Sequence, residues 1–129
     1  MLSESDHPDW KNKVILVAED KDINFILFDE VLKSTGLILL RTRNGEETVE
    51  MCRNNPNINL ILMDIKMPVM NGFEATRLIR EFRSNLPIIA QTASAMSGEE
   101  EKALEAGCND YIAKPISPKR LIKTIEKYL

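Results

Sequence analysis

Long apolar runs are missing from this sequence. The longest, such as Val14–Ala18 and Leu60–Met63, fall far short of the roughly 20 residues a membrane span needs. No segment here is therefore expected to contact a membrane. The first residues, Met1–Lys13, are polar and acidic around Pro8 and Trp10. They lack the apolar stretch of a signal peptide, so a cytoplasmic location is expected. Cysteine is scarce: Cys52 and Cys108 are the only two, and they show no metal-ligand spacing. They read as reduced thiols in a reducing compartment. Excess positive charge is also lacking. Seventeen Lys and Arg against 20 Asp and Glu give a net charge of -3 and a pI near 5.3. Such a domain has no electrostatic reason to hold nucleic acid directly.

What remains fits one soluble globular domain. The chain has 129 residues, 43% hydrophobic and 29% charged, enough for one buried core and too short for two. Five apolar strands are predicted, each followed by a helical pattern. The strands are Val14–Ala18, Leu37–Arg41, Leu60–Met63, Ile88–Gln91 and Asp110–Ala113. Helix one runs from near Asp22 to a stop at Gly36. Helices two, three and four are predicted to open at Asn44, Asn71 and Ser97, each with a Glu three residues on (Glu47, Glu74, Glu100), the spacing of a capping box. Helix five opens at Ser117, with Pro118 at the first helical position, where its missing N–H is harmless. Strict alternation of strand and helix implies an α/β fold, a parallel sheet covered by helices on both faces. The continuous apolar strands agree, since such strands are buried on both sides.

In sheets of this kind the functional site lies outside the carboxyl ends of the strands. Strand one is followed by Glu19 and Asp20, strand three by Asp64, strand four by Thr92, and strand five by Lys114 and Pro115. Singly, each has an ordinary explanation: an acid caps a helix, a threonine ends a strand, a lysine sits in solvent. Five such groups at one rim point to chemistry. Three clustered carboxylates repel one another, and a hard divalent cation relieves this. Mg2+ takes oxygen ligands and commonly joins one or two carboxylates to a phosphate. Lys114 adds a fixed positive charge and Thr92 a hydroxyl donor, together able to hold a phosphoryl group in transfer. Asp64 can then act as nucleophile and form an aspartyl phosphate.

With these residues in place, the chain resembles the receiver domains of two-component response regulators. The segments that carry the resemblance are Ile15-Leu-Val-Ala-Glu-Asp20, Leu62-Met-Asp-Ile-Lys-Met-Pro-Val-Met-Asn-Gly72, Ile89-Ala-Gln-Thr-Ala93 and Asp110-Tyr-Ile-Ala-Lys-Pro115. The likeness spans residues 13–129, leaving 1–12 as a tail or interdomain linker. It implies a flavodoxin-like (βα)5 three-layer sandwich with strand order 2-1-3-4-5. It implies that Asp64 accepts phosphate from a phosphohistidine, on a histidine kinase or a histidine phosphotransfer domain, in a separate protein or the same polypeptide. Asp20, Asp64 and the main-chain carbonyl of Lys66 would ligate Mg2+, for which Mn2+ or Ca2+ can substitute, with Glu19 assisting through water. Thr92 and Lys114 would bind the phosphoryl group, Tyr111 would turn inward as Thr92 moves, and the Lys114–Pro115 bond would be cis. Lys66 and Ser94 lie where family members tune dephosphorylation. The domain would catalyse its own phosphorylation and dephosphorylation without being a turnover enzyme. Glu19-Asp20-x-x-x-Asn24, Gly72-Phe-Glu-Ala-Thr-Arg77 and Asp9-Trp10 resemble receivers attached to hybrid sensor histidine kinases. No output domain is expected within these residues, so the response itself is not expected to be encoded in them. Gln91 departs from the pattern, standing where an apolar residue is usual before the threonine.

Helix one also suggests a docking surface. At 100° per residue, Leu27, Phe28, Val31 and Leu32 share a stripe expected to face the sheet, while Ile23 and Ile26 fall off it beside the acidic rim. Ile23 and Ile26 are the candidate partner contacts. Three other functions fit less well. A haloacid-dehalogenase-type phosphatase resembles this chemistry but uses a second Asp two residues after the nucleophile, where this chain has Lys66. A flavin binder of the same architecture wants a phosphate loop after strand one, where Glu19 and Asp20 would repel it. A degenerate receiver acting as a scaffold would not need the full set of Glu19, Asp20, Asp64, Thr92 and Lys114.

Overall fold

A computed structural model describes residues 8–93 and 98–129. Its strands are β1 (Val14–Ala18), β2 (Ile38–Thr42), β3 (Leu60–Asp64), β4 (Ile88–Thr92) and β5 (Asp110–Ala113), and its helices α1 (Asp22–Leu32), α2 (Gly45–Asn54), α3 (Gly72–Phe82), α4 (Glu99–Ala106) and α5 (Pro118–Glu126). All strand pairs are parallel, in the order β2-β1-β3-β4-β5. This is the expected flavodoxin-like arrangement.

The alternation of side chains along each strand divides the core in two. Leu16, Ile61, Met63, Ile88 and Ala90 pack with residues of α2, α3 and α4. Ile15, Val17, Leu62, Ile89 and Ile112 pack with Phe28 and Leu32 of α1 and Leu121, Ile122 and Ile125 of α5. Trp10 joins this second layer, its N–H donating to the Thr35 carbonyl at 2.8 Å.

The capping signals act as read for three helices. Asn44 accepts from the Glu47 N–H at 2.8 Å, Asn71 from the Glu74 N–H at 3.0 Å, and Ser117 from the Arg120 N–H at 3.4 Å. The expected opening of helix four at Ser97 lies outside the described residues; α4 is preceded by Gly98 at φ 78°. Helix one tightens into a 3-10 turn over Lys33–Thr35 before stopping at Gly36, whose φ of 82° suits glycine. β2 lies one residue later than predicted. β3 and β4 each run one residue further, so that Asp64 and Thr92 are the last residues of their strands.

One expectation is corrected. Leu27 does not face the sheet: it is 42% exposed, with Ile23 at 76% and Ile26 at 61%. The inward stripe is Phe25, Phe28 and Leu32, flanked by half-buried Val31. The predicted stripe omits Phe25; with it included, the apolar arc rotates and Leu27 falls on the outer side with the two isoleucines.

Candidate functional site

The ordering of the strands brings the predicted rim residues together. β1 and β3 are direct neighbours, as are β3 and β4, and β4 and β5. Carboxylate oxygens of Glu19, Asp20 and Asp64 all lie within 4.8 Å of one another. The Lys114 ammonium donates to Asp64 Oδ1 at 3.3 Å, and the Lys66 N–H donates to the same oxygen at 3.3 Å. The Lys114–Pro115 bond is cis, as expected. Thr92 is fully buried at the end of β4, and its hydroxyl has no hydrogen-bond partner among the described residues. Tyr111 is half-buried against the α2–α4 layer. Ser94 lies outside the described residues.

Burial makes this acidic cluster unusual. Glu19 is 0% exposed and Asp64 3%. Glu19 Oε2 accepts from the Lys21 N–H at 3.2 Å, but Glu19 Oε1 and Asp20 Oδ1 are buried with no partner among the described residues. Desolvation, and next the charge of Asp64, push the Glu19 carboxyl up from its ordinary 4.5 to about 6. One ammonium faces three acids. A site of hard, closely spaced carboxylate oxygens, two of them orphaned in the interior, fits a divalent cation with oxygen preference such as Mg2+.

The sign of the Glu19 effect gives a first prediction. A raised carboxyl pKa means that the folded domain holds the proton more tightly than the unfolded chain. The contribution to stability is full below about pH 4.5 and is lost as pH rises through about 6. A shift of this size corresponds to roughly 2 kcal/mol. In EDTA, the urea midpoint of the wild type should fall between about pH 5 and pH 7 by more than that of Glu19→Gln. Millimolar Mg2+ should restore the wild type at the upper pH.

Two residues that build the site were not singled out from the sequence for that role. Asn24, in the first turn of α1, lies near the Glu19 carboxyl and works against the burial that raises its pKa. Arg41, at the end of β2, donates to the Glu19 carbonyl at 3.1 and 3.0 Å and to Asp22 at 2.8 Å, and its guanidinium stacks 4.8 Å from the Phe25 ring. Arg41 and Arg43 together hold the Asp22 carboxyl below its ordinary range. The signal is present in the sequence, because Arg41 closes the predicted second strand and so falls at the same rim as the acids.

Comparison with known proteins agrees with this geometry. Residues 15–126 match the family model described as the response regulator receiver domain. The chain is 42% identical over 120 residues to the polar-differentiation response regulator DivK of Brucella anthropi, covering 91% of this chain and 96% of that protein. Among solved structures it is similar to the receiver domain of sensor histidine kinase PA1611 from Pseudomonas aeruginosa PAO1, which has a magnesium ion coordinated in its active-site cleft. The identity is 35%, the TM-score 0.83, and the coverage 90% of this chain and 96% of that one. It is also similar to the receiver domain in the co-crystal of the Saccharomyces cerevisiae histidine phosphotransfer protein Ypd1 with the response regulator Ssk1. There the identity is 31%, the TM-score 0.84, and the coverage 90% and 88%.

Proposed function

The chain belongs to the response regulator receiver domain family of two-component signalling, and from that premise we propose that Asp64 is its phosphoacceptor. The observation that carries the reading is the meeting of Glu19, Asp20 and Asp64 within 4.8 Å, with Lys114 paired to Asp64 at 3.3 Å. An Asp64 carboxylate oxygen attacks the phosphorus of a phosphohistidine. The new O–P bond forms as the P–N bond breaks, and its electron pair leaves with the imidazole nitrogen. Glu19, Asp20, Asp64 and the main-chain carbonyl of Lys66 would hold Mg2+, which when bound neutralises charge among the acids and on the phosphoryl oxygens. Lys114 and the Thr92 hydroxyl bind the transferred group. The product is a signalling state, and the domain is not a turnover enzyme.

Phosphorylation replaces the single negative charge of the Asp64 carboxylate with roughly -2 on a phosphoryl group that stands out from the rim. Thr92 and Lys114 then gain a partner, and their movement biases the loop after β4 and the ring of Tyr111. Full switching from 1:99 to 99:1 requires about 5.5 kcal/mol of preference for the active state. Charge-assisted hydrogen bonds from Thr92 and Lys114 supply part of it. In intact-mass measurement, the chain should gain one phosphoryl group in acetyl phosphate with Mg2+ and none in EDTA.

The phosphohistidine comes from a histidine kinase or histidine phosphotransfer domain that docks on the exposed row of Ile23 and Ile26, beside the rim. Ile26→Glu places a charge within that apolar contact. Phosphotransfer from such a partner should slow by about tenfold, as for loss of one interfacial anchor. Phosphorylation by acetyl phosphate should not change, and equal slowing of both would refute docking on this face.

A further inference from the structure

Helix α1 starts without a side-chain cap. The residue at its N-cap is Lys21, whose side chain makes no capping bond. Glu19 and Asp20 lie just ahead of this start, and their carboxyls must be held in place to meet Asp64. The bend from β1 into α1 is instead gripped from outside, by Arg41 of β2. Nε and Nη2 of its guanidinium donate to the Glu19 carbonyl at 3.1 and 3.0 Å, and Nη1 donates to Asp22 Oδ1 at 2.8 Å. Its Cζ lies over the Phe25 ring, 4.8 Å from the centroid. The side chain is 16% exposed. Arg41 thus touches the chain on both sides of Asp20, at Glu19 before it and at Asp22 and Phe25 after it.

The gripped carbonyl belongs to the Glu19–Asp20 peptide. That unit is planar, so fixing its oxygen constrains both of its Cα atoms and limits where the two carboxylates can stand. The Glu19 N–H is held from the same strand, donating to the Thr42 carbonyl at 2.9 Å. One edge strand therefore sets the main chain under two of the three acids that meet within 4.8 Å. Arginine suits this task, because its rigid fork can serve one acceptor with two N–H groups and a second acceptor beside it. Lysine carries the same charge without the fork.

We propose that Arg41 is a positioning residue for the divalent-cation site: through the Glu19–Asp20 peptide it holds the Glu19 and Asp20 carboxylates at the spacing the ion requires. The inference rests on the phosphoacceptor reading given above. Arg41 acts through the main chain and takes no part in the phosphoryl chemistry. Its contribution is geometry and not charge, and the two can be separated.

Mg2+ titrated into the 15N-labelled full chain, well below the melting temperature of each variant, reads the site without a phosphoryl donor. Saturable shifts are expected at the amides of Asp20, Asp64 and Lys66. In Arg41→Lys the same amides should shift at about tenfold higher Mg2+, the lower end of the loss expected when a group supporting a metal ligand is removed. Labelling by acetyl phosphate should also need about tenfold more Mg2+ for half its rate, and at saturating Mg2+ it should come within about twofold of the wild type. Arg43→Gln removes the other arginine on Asp22, an exposed pair at 2.9 Å, and should leave the Mg2+ midpoint where it was. Should Arg41→Lys not fold, Phe25→Leu carries the test. It removes the ring under the guanidinium, keeps the charge, and should weaken Mg2+ binding by about threefold. An unchanged midpoint in Arg41→Lys, or in Phe25→Leu where it stands in, would overturn the positioning role. So would an equal loss in Arg43→Gln, or a labelling rate that stays low at saturating Mg2+. Absence of saturable shifts in the wild type would overturn the cation site itself, and the phosphoacceptor reading with it.

Discussion

Asp64→Asn, treated with acetyl phosphate and Mg2+, will keep the mass of the unmodified chain while the wild type gains one phosphoryl group. The substitution is nearly isosteric, and the amide oxygen can still accept from Lys114 and from the Lys66 N–H, which meet Asp64 Oδ1 at 3.3 Å in both cases. What disappears is the nucleophile, because a carboxamide oxygen does not form a stable acyl phosphate. Misfolding can be separated from lost chemistry in the same samples. Asp64 is 3% exposed in a cluster where its charge helps raise Glu19 to about 6. Removing that charge relieves repulsion, so the variant should be at least as stable as the wild type in EDTA at neutral pH. It should also bind Mg2+ more weakly, having lost one of three anionic ligands. A phosphoryl mass on Asp64→Asn would move the acceptor to Glu19 or Asp20. No gain in the wild type would remove the phosphoacceptor reading altogether.

The legible parts of the fold and site share one physical cause. Strands buried on both faces must be apolar throughout, so β1, β3 and β4 announced themselves, and their ends located the acids. Helix starts were legible where a side chain caps its own backbone, as at Asn44 and Asn71, because that bond is local. Contacts set by tertiary approach were not legible. The Arg41 bridge to Glu19 and Asp22 spans 22 and 19 residues of sequence. The rotation of α1 depended on Phe25, whose ring packs under Arg41. Gln91 is visible in the sequence as a departure from the family pattern, but its amide, buried without a partner among the described residues, is a property of the folded sheet.

Gly72→Ala should couple loss of stability to loss of function, although alanine is the better helix former. Gly72 begins α3, and its N–H donates to the Ile65 carbonyl at 2.9 Å. A Cβ there would sit 2.4 Å from the carbonyl oxygen of Asp64, with Ile65 Cα and Met63 Cγ each at 3.0 Å. The nearest atom is backbone, so it cannot swing aside as a side-chain tip would. Either α3 lifts from the sheet or the end of β3 moves, and the second option displaces the phosphoacceptor itself. Alanine's helix preference returns up to about 1 kcal/mol, against roughly 1–3 kcal/mol for overpacking of this kind. The net effect should be a lower urea midpoint. Because an active-site shift approaching 1 Å can slow a reaction by about a hundredfold, acetyl phosphate labelling should fall by about ten- to a hundredfold. Gly98→Ala separates close approach from the general effect of replacing glycine. Gly98 has φ +78° with nothing among the described residues within 4 Å of a Cβ, so alanine there incurs about 1–2 kcal/mol of left-handed strain and should leave the labelling rate near that of the wild type. Equal labelling defects in the two variants would detach the Gly72 effect from Asp64, whereas a defect confined to Gly72→Ala ties the rate to the position of that one carbonyl.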